Sequence, residues 1–187
     1  MLTPADSGRV AELLLGRPSG LGRSRLLTID GPAGSGKTSL AGDVERVLRE
    51  RGAETATVHL DDLYEGWTGL DTALERRVTM QLLEPLGDGR TARWQRYDWS
   101  AGRFDGWVEL PAPDVLVLEG CGAGARGYDA WTSLLVWLEA APETRVRRGM
   151  ERDGGQVRDR WLAWMSLEEQ HFAANDTRSR ADVRLST

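Results

Sequence analysis

Apolar residues along this chain gather into short runs separated by stretches of helical spacing. Residues 25–30, 55–60, 114–119, 133–139 and 181–186 are compact and apolar, as strands buried on both faces are. Residues 38–51 instead place Leu40, Val44, Val47 and Leu48 on one helical face and stop at Gly52, a fitting C-terminal glycine. Further helices are predicted at 5–15, 71–86, 142–153 and 156–174, the second closed by Pro85 and the turn Gly87-Asp88-Gly89. Five strands separated mostly by helices imply an α/β domain whose parallel sheet is covered on both faces.

Residues 87–113 break this pattern. Trp94, Tyr97, Trp99, Phe104 and Trp107 alternate with polar residues and glycines, which reads as a hairpin or an irregular lid. With 187 residues and no internal repeat, the chain reads as one domain: an N-terminal helix and loop (1–24), the hairpin or lid (87–113) and an arginine-rich lid (142–155) around a single sheet.

Composition narrows the class. A net charge of -5 argues against a nucleic-acid-coating surface. Cys121 is alone, and His59 and His171 are far apart, so neither a disulfide nor a Cys/His metal cluster is expected. The apolar stretch at residues 10–15 has no basic region before it, and no run approaches the ~20 apolar residues of a membrane span. The expectation is a cytoplasmic protein without membrane partners, with homo-oligomerisation left open. Of the 24 Lys and Arg residues only Lys37 is a lysine. The exception stands inside a motif where the planar fork of arginine fits badly.

That motif is Gly31-Pro32-Ala33-Gly34-Ser35-Gly36-Lys37-Thr38, a full match to G-x-x-x-x-G-K-[ST] between a predicted strand and a predicted helix. Phosphates need several inward-pointing backbone N–H groups, hence glycines, and the helix N-terminus offers its positive end. The expected ligand is ATP or GTP, cradled by Gly31, Ala33, Gly34, Ser35 and Gly36, with Ser39 on the first helical turn. Lys37 reaches the β and γ phosphates, and the Thr38 hydroxyl ligates Mg²⁺. A second glycine run, Gly122-Ala123-Gly124-Ala125-Arg126-Gly127, satisfies G-x-G-x-x-G, but only residues 128–132 separate it from the next strand. That is too short for a crossover helix, so a flexible surface loop is expected and not a dinucleotide site.

In an open α/β sheet the active site lies beyond the carboxyl ends of the strands. Asp61 and Asp62 end the second predicted strand and Glu119 the third, so both clusters are expected to face the phosphate loop. A carboxylate there can accept the proton of a hydroxyl attacking the γ phosphate, and another can hold Mg²⁺.

Taken together, Thr28 through Thr38, then His59-Leu60-Asp61-Asp62-Leu63-Tyr64, then Leu118-Glu119-Gly120 resemble the uridine kinase group of P-loop kinases. That group includes nicotinamide riboside kinase, pantothenate kinase and phosphoribulokinase. Tyr97-Asp98-Trp99 is similar to the group's Tyr-Asp-Phe segment. Thr144 and Arg145 with Arg148, Arg152 and Asp153 are similar to its lid helix, and Ala181-Asp182-Val183 to the start of its last strand. The resemblance spans about residues 25–186. It implies a three-layer domain whose five predicted strands run second, third, first, fourth, fifth across the sheet. It implies Asp61 as catalytic carboxylate, Thr38, Asp61 and Glu119 as metal-binding residues, and Tyr64, Tyr97, Asp98 and Glu119 on the acceptor. Arg145, Arg148 and Arg152, spaced three and four residues apart, would form one face over the phosphates, the last two assisting catalysis. Two features depart from the group: no histidine follows Tyr97-Asp98-Trp99 within residues 100–104, and Gly154-Gly155-Gln156 replaces the usual Arg-Gly-Arg.

The function this implies is transfer of the γ phosphate to a small hydroxyl acceptor, most like a nucleoside. The loop wording also resembles cytidylate kinase, so a nucleotide or sugar-phosphate acceptor is a second reading. Arg76, Arg77, Arg90, Arg93, Arg96 and Arg103 would then clamp the anion. A non-catalytic nucleotide-binding regulator is a third, which the strand-end carboxylates disfavour. Trp67, Trp94, Trp99 and Trp107 are candidates for stacking on a base or for packing the lid.

Overall fold

The computed structural model describes residues 2–187. Helix α1 (Pro4–Leu15) precedes β1 (Arg25–Asp30), which leads through the glycine loop into α2 (Lys37–Glu50) and β2 (Thr55–His59). Next come α3 (Thr72–Val78) and α4 (Glu84–Gly87), then a hairpin of β3 (Ala92–Asp98) and β4 (Arg103–Leu110). The chain finishes as β5 (Val115–Glu119), β6 (Thr132–Glu139), α5 (Pro142–Asp153), α6 (Arg158–Asn175), α7 (Thr177–Arg180) and β7 (Val183–Ser186).

The five-stranded sheet is parallel throughout, in the order β2-β5-β1-β6-β7. Allowing for the two hairpin strands, this is the order that the family resemblance implies. The central strands are apolar on both faces because both are covered. Leu27, Ile29, Val115 and Val117 pack with Val10, Leu14, Leu40 and Val44 of α1 and α2. Leu26, Leu116 and Leu118 pack on the other side with Leu74, Val78, Leu82 and Trp164.

Residues 87–113 resolve into a regular antiparallel hairpin separate from the sheet, with a register shift between Gln95 and Arg96. The helix predicted over 71–86 is interrupted: residues Thr79–Leu83 widen into a π-helix. Pro85 supplies the reason, since it has no N–H for the carbonyl four residues back and its ring crowds that carbonyl.

The second glycine run departs most from expectation. Residues 121–125 are buried, not a flexible surface loop. Their backbone wraps around the carboxylate of Asp30 at the end of β1, which accepts N–H bonds from Gly31 (2.7 Å), Gly122 (2.9 Å) and Gly124 (2.8 Å). Burial pushes the Asp30 carboxyl up to about 6, against the pull of these three amides and of Lys37. A carboxyl raised in the folded state favours folding below its unfolded value near 3.8, and that advantage fades as pH rises through about 6. Asp30→Asn keeps the shape but turns an NH₂ group toward N–H donors. It is expected to cost about 1.5–3 kcal/mol of stability, the range for a hydrogen bond to a charged group. Denaturant unfolding at pH 7 checks this, and an unchanged midpoint would remove Asp30 from its organising role.

Candidate active site

The strands' carboxyl ends open into a cleft of 930 Å³ lined by the glycine loop, the start of α2, the ends of β2 and β5, the hairpin, α5 and α6. The loop residues reach it because β1 ends at Asp30 and α2 begins only at Lys37. The intervening turn needs positive φ at Gly31 (142°), Gly34 (78°) and Gly36 (99°). At Gly34 a Cβ would also stand 2.7 Å from the Arg145 carbonyl oxygen, so no other residue fits there without displacing α5.

The first-turn amides of α2, at Lys37, Thr38 and Ser39, have no acceptor within the helix and face the same space as the loop. Ser35 is buried and its Oγ has no partner among the described residues. Lys37 is only 8% exposed and folds back on the loop, donating to Gly31 O (2.8 Å), Pro32 O (3.0 Å) and Cys121 Sγ (3.6 Å). Burial opposes its charge, but Cys121, Glu119, Asp30 and Glu168 around it outweigh that and raise its pKa. It stays an ammonium ion at any physiological pH.

Opposite the loop stand the carboxylates. Glu119, buried at the end of β5, accepts from Thr38 Oγ1 (2.9 Å) and from His59 Nδ1 (2.6 Å), both on Oε1. An ionised carboxylate only accepts, so Nδ1 carries the proton. That bond, offset by partial burial, raises the His59 pKa. Asp61 follows β2 on a single 3₁₀ turn and opens into the cleft. Its surroundings raise its carboxyl, first by desolvation and then by Glu119, against the pull of Lys37, Arg152 and His59. Asp62, beside it, is held by Arg96 of the hairpin (3.1 Å).

Thr38 with Glu119 is a hard oxygen pair beside a phosphate cradle, which suits Mg²⁺ held by few protein groups plus phosphate and water. Among the described residues no cluster of three or more His, Cys, Asp or Glu could hold a metal by itself. The pair therefore fits an ion that arrives with a nucleotide.

Several expected site residues are placed elsewhere. Arg145 does not share a phosphate-facing surface with Arg148 and Arg152. It turns into the protein and pairs with Glu168, both largely buried. Arg148 donates to Gly34 O (3.1 Å) and Thr187 Oγ1 (2.9 Å), and Arg152 lies along the cleft paired with Asp153. Tyr97 and Asp98 do not line the cleft either. Tyr97 packs between Trp99 and Phe104, and Asp98 caps the hairpin turn through the N–H groups of Ser100 and Ala101. Arg96 and Trp99 line the cleft instead, Arg96 as Tyr97's neighbour on the alternating strand and Trp99 in the turn just beyond the end of β3. Tyr64 lines the cleft by its ring, while its hydroxyl donates to Cys121 O (2.8 Å).

Of the tryptophans, Trp67 and Trp99 face the cleft and meet edge to face at 5.7 Å, and Trp99 Nε1 donates to Asp61 O (3.0 Å). Trp94 is buried in the core, and Trp107 sits under Arg93 on the exposed side of the hairpin. Trp161 and Trp164 complete the wall from α6. Among the arginines offered for an anion clamp, only Arg96 lines the cleft. His59 was not singled out for this site by the sequence, although it stands two residues before Asp61 on the same strand end.

No protein-family model matches the sequence, and a search of curated proteins finds no match. Solved structures do match. One described as a "possible uridine kinase" from Bacillus stearothermophilus is similar over 97% of this chain and 98% of its own, at 21% identity and a TM-score of 0.71. D-glycerate 3-kinase from Cryptococcus neoformans is similar over 88% of this chain and 87% of its own, at 18% identity and a TM-score of 0.60. These likenesses, with the strand order and the loop between β1 and α2, give the chain the fold of the P-loop kinases.

Proposed function

We propose that this protein is an ATP-dependent kinase that transfers the γ phosphate to a hydroxyl group of a small acceptor, a ribonucleoside being the preferred class. The observation that carries the reading is the convergence of Lys37, Thr38, Asp61 and Glu119 on one cleft from three different strand ends. Loop amides and Lys37 would hold the β and γ phosphates and meet the charge that develops on the transferred group. Thr38 and Glu119 would hold Mg²⁺, which screens the phosphate charge when bound. Asp61, in its ionised form, would take the proton of the attacking hydroxyl. Arg148 and Arg152 would lean over the phosphates from α5.

Two features favour a neutral acceptor over a phosphorylated one. Arg96, the one hairpin arginine in the cleft, is already paired with Asp62, and the remaining acceptor-side wall is aromatic. An anion would also face Asp61 and Glu119 directly.

ATP consumption against nucleosides, vitamins, sugar phosphates and nucleoside monophosphates tests the proposal. Activity confined to nucleoside monophosphates, which accept on a phosphate oxygen already ionised, would overturn the hydroxyl reading and its need for Asp61. With the best acceptor in hand, Trp67→Ala and Trp99→Ala are each expected to raise its KM roughly 2–10-fold, the equivalent of one lost aromatic contact, and to leave the KM for ATP unchanged. Equal changes in both constants would place these rings in general packing.

A further inference from the structure

Glu168 has no place in the chemistry above and does not line the cleft, yet it reaches the phosphate loop from behind. We infer that Glu168 is a positioning residue that ties this loop to the base of α5 and thereby sets where Arg148 and Arg152 stand over the phosphates. The inference rests on the kinase reading of the cleft.

The side chain is 2% exposed and splits its two oxygens between two segments. Oε2 accepts the N–H of Ala33 in the loop at 2.8 Å, and Oε1 accepts from Arg145 Nη1 at 2.6 Å. An ionised carboxylate, with acceptor capacity on both oxygens, is suited to serve two such donors at once. The two segments it joins are already in direct contact, since Gly34 leaves no room for a Cβ against the Arg145 carbonyl. One turn beyond Arg145, Arg148 donates to the carbonyl of the same Gly34.

Helix α6 is in turn held against α5. A Cβ on Gly149 would lie 2.3 Å from Trp161, so the two helices touch there, and Trp161 Nε1 donates to Asp153 (3.1 Å). Trp161, Trp164 and Glu168 are spaced three and four residues apart and form the buried edge of α6. The loop, α5 and α6 thus meet through several contacts, and Glu168 is the side chain that bonds from α6 to both of the others. A buried ion pair is often no more stabilising than an apolar pair of the same volume, so its worth here lies in geometry.

Two variants separate positioning from mere stability. Glu168→Gln leaves Arg145 buried without its counter-charge. The double variant Arg145→Met with Glu168→Gln removes both charges and keeps an acceptor for Ala33. Each is followed by thermal unfolding, by calorimetry with a non-hydrolysable ATP analogue, and by kcat and KM for ATP. Glu168→Gln should lower the unfolding midpoint and cut kcat by roughly 10²-fold, as misplacement of about 1 Å does. The double variant should recover the midpoint while kcat stays depressed. Recovery of kcat together with stability, or wild-type kcat in any folded variant, would overturn the positioning role. A wild-type protein that fails to bind the analogue would instead sink the kinase reading on which the inference stands.

Discussion

Lys37→Ala is expected to lower phosphoryl transfer by roughly 10³-fold or more, beyond the effect of removing one donor from a developing anion. Two contributions combine. The ammonium group is the one lysine charge in the molecule and stands at the mouth of the cradle. It also bonds Gly31 O and Pro32 O, so its loss loosens the loop whose amides do the rest of the work. Asp30, Glu119 and Glu168 would lose the cation they surround, and some loss of stability is expected alongside. Lys37→Arg keeps the charge, but its planar fork has to enter a space that the loop carbonyls and Cys121 already close, and little activity should return. Turnover is measured on variants shown to be folded by circular dichroism. Wild-type turnover in Lys37→Ala would remove the phosphate loop from the reaction.

Asp61→Asn should cost ~10²–10⁴-fold in turnover, the usual contribution of a general base, and should leave the affinity for ATP near wild type by calorimetry. The pH profile provides a second, sharper reading. Desolvation within the cleft, and then Glu119, raise the Asp61 carboxyl above its ordinary 3.8, and the base works only when ionised. Wild-type turnover should therefore fall as pH drops through that raised value, and Asp61→Asn should lack this acid limb. Asp62→Asn should matter less, because Asp62 faces Arg96 and not the loop. A fully active Asp61→Asn protein would end the assignment of this residue as base.

Local pattern made most of this architecture legible. The five strands were visible because burial on both faces leaves almost uninterrupted apolar runs, and the phosphate loop because its backbone tolerates little but glycine. Strand-end carboxylates followed from topology. What stayed hidden depends on where long side chains turn. Arg145, Arg148 and Arg152 share one helix face by spacing, but spacing does not reveal that Glu168 of α6 draws the first of them inward. Tyr97 and Trp99 carry similar sequence signals, but Tyr97 stays within β3 while Trp99 falls in the turn beyond it and reaches the cleft. The second glycine run looked loose because glycine often marks flexibility. Its glycines instead let the backbone close around the carboxylate of Asp30, 92 and 94 residues before Gly122 and Gly124 in the chain.

A chain whose surface carries no lysine presents no exposed ε-amine to acylating reagents, and its single side-chain amine sits in the phosphate cradle. Amine-directed dyes, cross-linkers and acetylating enzymes therefore find no ordinary side-chain target on this protein. Any acyl group recovered on a lysine would mark a moment when the loop had opened. Protection of that one amine by a nucleotide would report occupancy of the cradle directly, without an acceptor and without turnover.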